Sequence, residues 1–275
     1  RGRSVLRRLR PRATPEAGGL FAGRTGRIYL EVRGGASPAG VQAFHPSFEA
    51  PVGVVAGGDV PSEAKLTPVR RGLDALEGMR IVSRAPYGIT RQARGMKLPS
   101  PLVVFPSPAD DLDLQKYLSR AVRGEAPAIS LRPGIGHEFL SLREHRPEDG
   151  MRRIHWKASA RTGQLLSRVD EKVDEQGLTI SVATTIPEDT DVWRARFERA
   201  LSLATAAILQ AAERGIPFRL VCGGRRSPMA TGLRHRNGSL QALALLEPAV
   251  GPAPMRDAGR DVLTFSAEDA VEAGR

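Results

Sequence analysis

Residues 142–163, LREHRPEDGMRRIHWKASARTG, bring acids, imidazoles and guanidinium groups together in one short stretch. Acid–base catalysis needs two carboxyls in one cleft with unequal environments. Glu144 and Asp149 qualify by proximity alone. Each stands beside arginines, which hold a carboxylate ionised and paired rather than poised near neutrality. A metal site needs converging His, Cys or acidic ligands. His145 and His155 are ten positions apart, which is neither a helical nor a zinc-type spacing. His155 lies between Ile154 and Trp156 and reads as a histidine hydrogen-bonded inside a packed turn. Elsewhere the chain lacks the G-x-S-x-G turn that presents a serine nucleophile, and both glycine-rich phosphate loops. The run CGGRRSP, from Cys222 to Pro228, follows an apolar strand and is a weaker ligand candidate or a plain surface loop.

Nucleic-acid binding would use basic side chains on phosphates and aromatics on bases. The stretch has both, with Trp156 among the arginines, yet its interleaved acids cancel much of the field, so no nucleic acid is expected. A polar clasp fits the residue types better. A helical turn over 152–161 sets Ile154, Ala158 and Arg161 along one face and Arg152, Trp156, Ser159 and Ala160 nearer another. The small residues allow close backbone approach. Arg143, Arg146, Arg152, Lys157 and Arg161 can engage the acids and loop carbonyls. A catalytic or nucleic-acid module centred on 142–163 stands as the rival reading.

The elements around this stretch divide by hydrophobic period. RIYLEVRGG alternates Ile28, Leu30 and Val32 on one face with Tyr29, Glu31 and Arg33 on the other, a strand pattern. Further short apolar runs punctuated by Gly and Pro continue to Val104 and predict a β-sandwich-like module over 25–106. Residues 1–24 read as a basic linker, and 107–127 as a connecting helix, with Ser107 as its cap, or a linker. From 128 to 275 strands alternate with helices, which predicts a mostly parallel sheet with helices on its faces. HEFLSLRE and QLLSRVDE are strands there. The clearest helix runs over 190–214, with Trp193, Phe197, Ala200, Leu201, Ala204, Ala207, Ile208 and Ala211 as one stripe and Gly215 as its stop.

Composition sets the frame. The chain has 275 residues, 41% hydrophobic but only 5% aromatic, so its cores must rest on Leu, Val, Ile and Ala. Its formal charge of +11 draws it toward polyanions or anionic membrane surfaces. A single cysteine, Cys222, allows no internal disulfide and fits a reducing compartment. No stretch reaches the roughly 18 apolar residues of a membrane span. The opening RGRSVLRRLRPR reads as the cytoplasmic flank of a hydrophobic segment upstream, or as a plain basic tail.

The segment FLSLREHRPEDGMRRIHWKASARTGQLLSRVDE closely resembles the signature of the DUF58 family, roughly LREY-xPGD-xxRxIHWKxSARTGxLxVRExE. Upstream, VRRGLDALEGMRIVSRAPYGI resembles the family's RG-turn and following strand, and downstream FERALSLATAAILQAAERGIPFRLV resembles its helix and next strand. The resemblance covers about 69–221. It implies a membrane protein whose β-domain precedes a von Willebrand factor A-like α/β module, acting as an adaptor with a MoxR-type AAA+ ATPase and with no established enzymatic activity. The signature residues so matched are Arg143, Glu144, Arg146, Asp149, Arg152, Ile154, His155, Trp156, Lys157, Ala160 and Arg161. They form either a structural clasp or a partner-docking edge. His145, Glu148 and Ala85 depart from the family's Tyr, Gly and Asp. The D-x-S-x-S metal motif of a working von Willebrand A site is missing, with Thr184 or Thr185 where its Asp would fall, so neither a metal nor another cofactor is expected.

The reading from sequence is therefore an α+β two-module chain, a β-sandwich-like module followed by an α/β von Willebrand A-like module. It would be a non-enzymatic adaptor at the cytoplasmic face of the cell membrane, tethered through a segment upstream of residue 1, with a MoxR-type ATPase as partner.

Overall fold

The computed structural model describes residues 6, 9–34, 40–55, 61–84, 91–110, 141–144, 159–161, 163–169, 177–252 and 262–268. Strands come first: β1 (Arg10–Pro15), β2 (Leu20–Phe21), β3 (Gly26–Arg33), β4 (Gly40–Phe44), β5 (Val52–Val55), β6 (Ser62–Leu66), β7 (Gly72–Asp74), β8 (Met79–Ser83), β9 (Gln92–Met96) and β10 (Leu102–Phe105). They form three small sheets, in the orders β1-β3-β6, β5-β4-β8-β9 and β2-β10-β7. All pairings are antiparallel except β2 with β10. The strand period does the sorting. Ile28, Leu30 and Val32 are fully buried, while Arg27, Tyr29 and Arg33 face outward. Each such side chain contributes about 1.5–3 kcal/mol on burial. With Leu66, Leu76, Met79, Ile81, Leu102 and Val104 they make one hydrophobic core.

Two of these strands fall within 1–24, which the sequence reads as a linker. Prolines and arginines disguise β1. Its inward positions are Pro11 and Ala13, which carry little strand signal, and Arg10, Arg12 and Thr14 point outward. Register with β3 compensates, since every residue of β1 has a partner there.

After β10 the described chain resumes with β11 (Ser141–Glu144) and β12 (Leu166–Val169), which pair antiparallel with each other. Then follow β13 (Leu178–Val182), β14 (Thr185–Ile186), α1 (Asp191–Glu213), β15 (Phe218–Cys222), β16 (Arg225–Arg226), α2 (Leu233–Ala244), β17 (Ala249–Val250) and β18 (Val262–Phe265). A four-stranded sheet runs β16-β15-β13-β18, parallel except at the β15–β16 hairpin, and β14 pairs parallel with β17. The second core gathers Ile180, Val182, Phe218, Leu220 and Phe265 from this sheet with Phe197, Leu201, Ala204, Ile208, Leu240 and Leu243 from the helices.

The ends of α1 follow its sequence. Thr190 caps it, its hydroxyl accepting from the Trp193 N–H at 3.4 Å. Gly215 sits at φ +66°, and the N–H groups of Ile216 and Gly215 return to the carbonyls of Ala211 and Ala212. That is the double-bonded glycine stop of a Schellman ending. Leu203, Thr205 and Ala206 are buried as well as the predicted stripe, because α1 packs on more than one side. Trp193 is only half-buried.

The expected von Willebrand A-like module is not what this chain forms. Among the described residues its strands make several small, mostly antiparallel sheets, and the parallel core of the second half is three strands wide. The reason lies in the strands themselves. A parallel sheet is covered on both faces and needs near-continuous apolar runs. Leu178–Val182 and Val262–Phe265 meet that demand, with Phe218–Cys222 buried at alternate positions between half-buried ones. SLRE and LSRV, each carrying an arginine, pair antiparallel in a sheet of their own. The predicted helix over 107–127 also starts differently. Residues 107–110 are not helical, and the Ala109 N–H donates to the Ser202 carbonyl of α1 at 3.0 Å. Pro108 disfavours helical backbone at Ser107. Residues 111–127 lie outside the described residues.

Candidate functional site

The signature segment is closed by a strand pair. Ser141 stands opposite Val169, Arg143 opposite Ser167 and Glu144 opposite Leu166, so the two strands that flank residues 145–165 are an antiparallel pair. Residues 159–161 are helical, with Ser159 buried and Ala160 and Arg161 exposed. Gly163 ends this helix at φ +72°, its N–H bonding the Ser159 carbonyl at 3.0 Å. The last glycine of the signature thus supplies a left-handed cap, which an L-residue adopts only at a cost of roughly 1–2 kcal/mol. Leu165, just beyond it, is half exposed. Arg146, Asp149, Arg152, Ile154, His155, Trp156 and Lys157 lie outside the described residues, and of Arg143 and Glu144 the strand pairing alone is described.

A polar clasp stands between the two cores, and among the described residues arginines outside the signature build it. Arg71 follows β6 and has a side chain only 7% exposed. Its guanidinium donates to the Leu246 carbonyl beyond α2, pairs with Glu198 of α1 and lies 5.7 Å from the Phe197 ring centroid. Burial pulls its pKa below the usual arginine value, against the opposing pull of Glu247. An arginine so placed still keeps its charge. Next to it Gly72 takes φ +114°. Two more arginines span the same junction. Arg24 donates to the Pro108 carbonyl at 3.2 Å, and Arg236 of α2 donates to the Ala17 carbonyl at 3.4 Å. Strand β10 completes the link: Leu102 and Val104 belong to the first core and Phe105 to the second. Phe105 meets Phe21 edge-on at 5.5 Å between ring centroids. It leaves no room for a side chain at Gly19, whose Cβ would fall 2.3 Å from the ring.

The remaining sequence candidates resolve into ordinary structure. Gly223 and Gly224, at φ +53° and +72°, form the two-residue turn between β15 and β16, a positive-φ pair that glycine suits. Arg225 and Arg226 are exposed on that short edge strand. Cys222 is buried, and burial pushes its thiol pKa up while Arg225 opposes. Thr184 and Thr185 lie on the turn into β14. The Thr184 carbonyl accepts from Ala249, and the Thr185 hydroxyl is buried without a partner among the described residues. Among the described residues no group of three or more His, Cys, Asp or Glu converges as a metal site. His235 points its Nε2 at the Phe218 carbonyl, 2.9 Å away, and its ring lies 4.5 Å from that phenyl centroid. Asp189 and Arg194 form an exposed pair at the start of α1, and this bond holds the Asp189 carboxyl below the usual range. No helix among the described residues is long and apolar enough to cross a membrane.

Comparison of the chain with known protein families and with curated proteins gave no match. Sequence reasoning missed Arg71 as a clasp residue. A charged residue's direction is decided by what packs over it, which the RRG turn does not reveal.

Proposed function

We propose that this chain is a non-enzymatic DUF58 adaptor that docks a MoxR-type AAA+ ATPase at the cytoplasmic face of the membrane. The observation that carries the reading is the long signature run from Leu142 to Gly163. Support comes from its setting: it lies between the paired strands β11 and β12, and Arg161 and Leu165 near its end are exposed. An exposed cation and an exposed apolar side chain suit a protein partner, where arginine and apolar anchors concentrate binding. The clasp of Arg24, Arg71 and Arg236 holds the two cores together through residues outside the signature.

Capture of a MoxR-type ATPase from the same organism tests this. Immobilised wild-type chain retains the ATPase in at least one of the ATP, ADP and nucleotide-free states. The Arg152→Ala/Lys157→Ala variant, checked for an unchanged circular dichroism spectrum, loses it. Retention in no nucleotide state by the wild type ends the proposal.

A further inference from the structure

Among the described residues, the outer face of the β1-β3-β6 sheet is electrically lopsided. At one end Arg10 stands directly opposite Arg33, and in the next row Arg12 stands opposite Glu31. All three arginines are exposed, and Glu31 is already bonded by Arg33 at 3.1 Å. At the other end charges balance locally: Arg27 lies 3.9 Å from Glu16 and 3.8 Å from Glu63, and Lys65 lies 3.7 Å from Glu49.

Like charges directly across a strand pair are destabilising. Prolines and charges on an edge strand guard it against unwanted pairing, which accounts for Arg10, Pro11 and Arg12. Arg33 lies on the central strand and is held by Glu31. Against that one carboxylate the three arginines leave this end two positive charges in excess, which an external anionic surface balances. We infer that this end of the sheet rests on the anionic headgroup surface of a phospholipid bilayer. A three-strand sheet presents a broad face, which suits a plane, and Tyr29, 37% exposed in the adjoining row, is a residue type that settles at headgroup level. Single-stranded nucleic acid would call for a basic groove with several aromatics. In sequence, Arg1, Arg3, Arg7 and Arg8 precede β1.

The inference shares the membrane with the adaptor reading, but its assay contains no ATPase, so either can fail alone. The purified chain is sedimented with vesicles of phosphatidylcholine, alone or mixed with phosphatidylglycerol, and titrated separately with a duplex oligonucleotide. Binding to the anionic vesicles alone, falling steeply with salt, is expected. Each arginine near such a surface is worth about fivefold in partitioning, so Arg10→Gln/Arg33→Gln loses roughly 25-fold. Arg225→Gln/Arg226→Gln, which removes equal charge from the β15–β16 hairpin, keeps most of the binding. Equal losses in the two variants, equal binding to neutral vesicles, or a loss confined to the oligonucleotide overturns the proposal.

Discussion

Arg71 shows what a single side chain does in this molecule. Removing it leaves the Leu246 carbonyl without its donor inside the junction, and an unsatisfied buried carbonyl costs about 1–3 kcal/mol. Arg71→Ala should therefore lower the denaturant midpoint by that equivalent, measured by urea unfolding. Arg71→Lys should not restore it, because an ammonium lacks the fork that reaches Leu246 and Glu198 together. Cys222 gives a second test. Its thiol is buried and its pKa raised, so little thiolate exists at neutral pH. Labelling by a thiol reagent should be slow in the native protein, fast in denaturant, and faster natively as pH rises. These residues also mark the limits of the sequence as a guide. Cys222 is legible as buried because an apolar run surrounds it. Arg71 is not, because an RRG turn says nothing about which arginine points inward.

Among the elements, α1 was legible almost residue by residue. Its cap, its apolar stripe and its glycine stop are local features, and local chemistry decides them. Thr190→Ala should cost about 1 kcal/mol, and Gly215→Ala, at φ +66°, roughly 1–2 kcal/mol. Thermal melts of the two variants check both values. Helix α2 runs from Leu233 through Asn237 and Gly238, residues that disfavour a helix interior. The contacts of His235 with Phe218 and of Arg236 with Ala17 fix its first turns, which is tertiary structure overriding local preference. Strand β1 was missed for the converse reason, since its pairing with β3 supplies what Pro11 and Ala13 do not signal. The partners of β11 and β12 could not be read either. Alternation identifies a strand, but not whether it joins a large parallel sheet or pairs in a hairpin stem.

At the scale of the whole chain, two cores share strand β10 and are tied across by three arginines bonded to backbone carbonyls. The polar clasp suggested by the signature's composition thus has a counterpart at the junction, made by Arg24, Arg71 and Arg236. With the junction held by these residues, the adaptor proposal stands on the signature segment between β11 and β12. The direct measurement is the affinity of the immobilised chain for a purified MoxR-type ATPase, read by biolayer interferometry in ATP and in ADP. Arg152→Ala/Lys157→Ala should weaken binding at least tenfold while Arg71→Lys, which alters the junction, leaves it unchanged. Loss of binding by Arg71→Lys with retention by Arg152→Ala/Lys157→Ala would contradict the account.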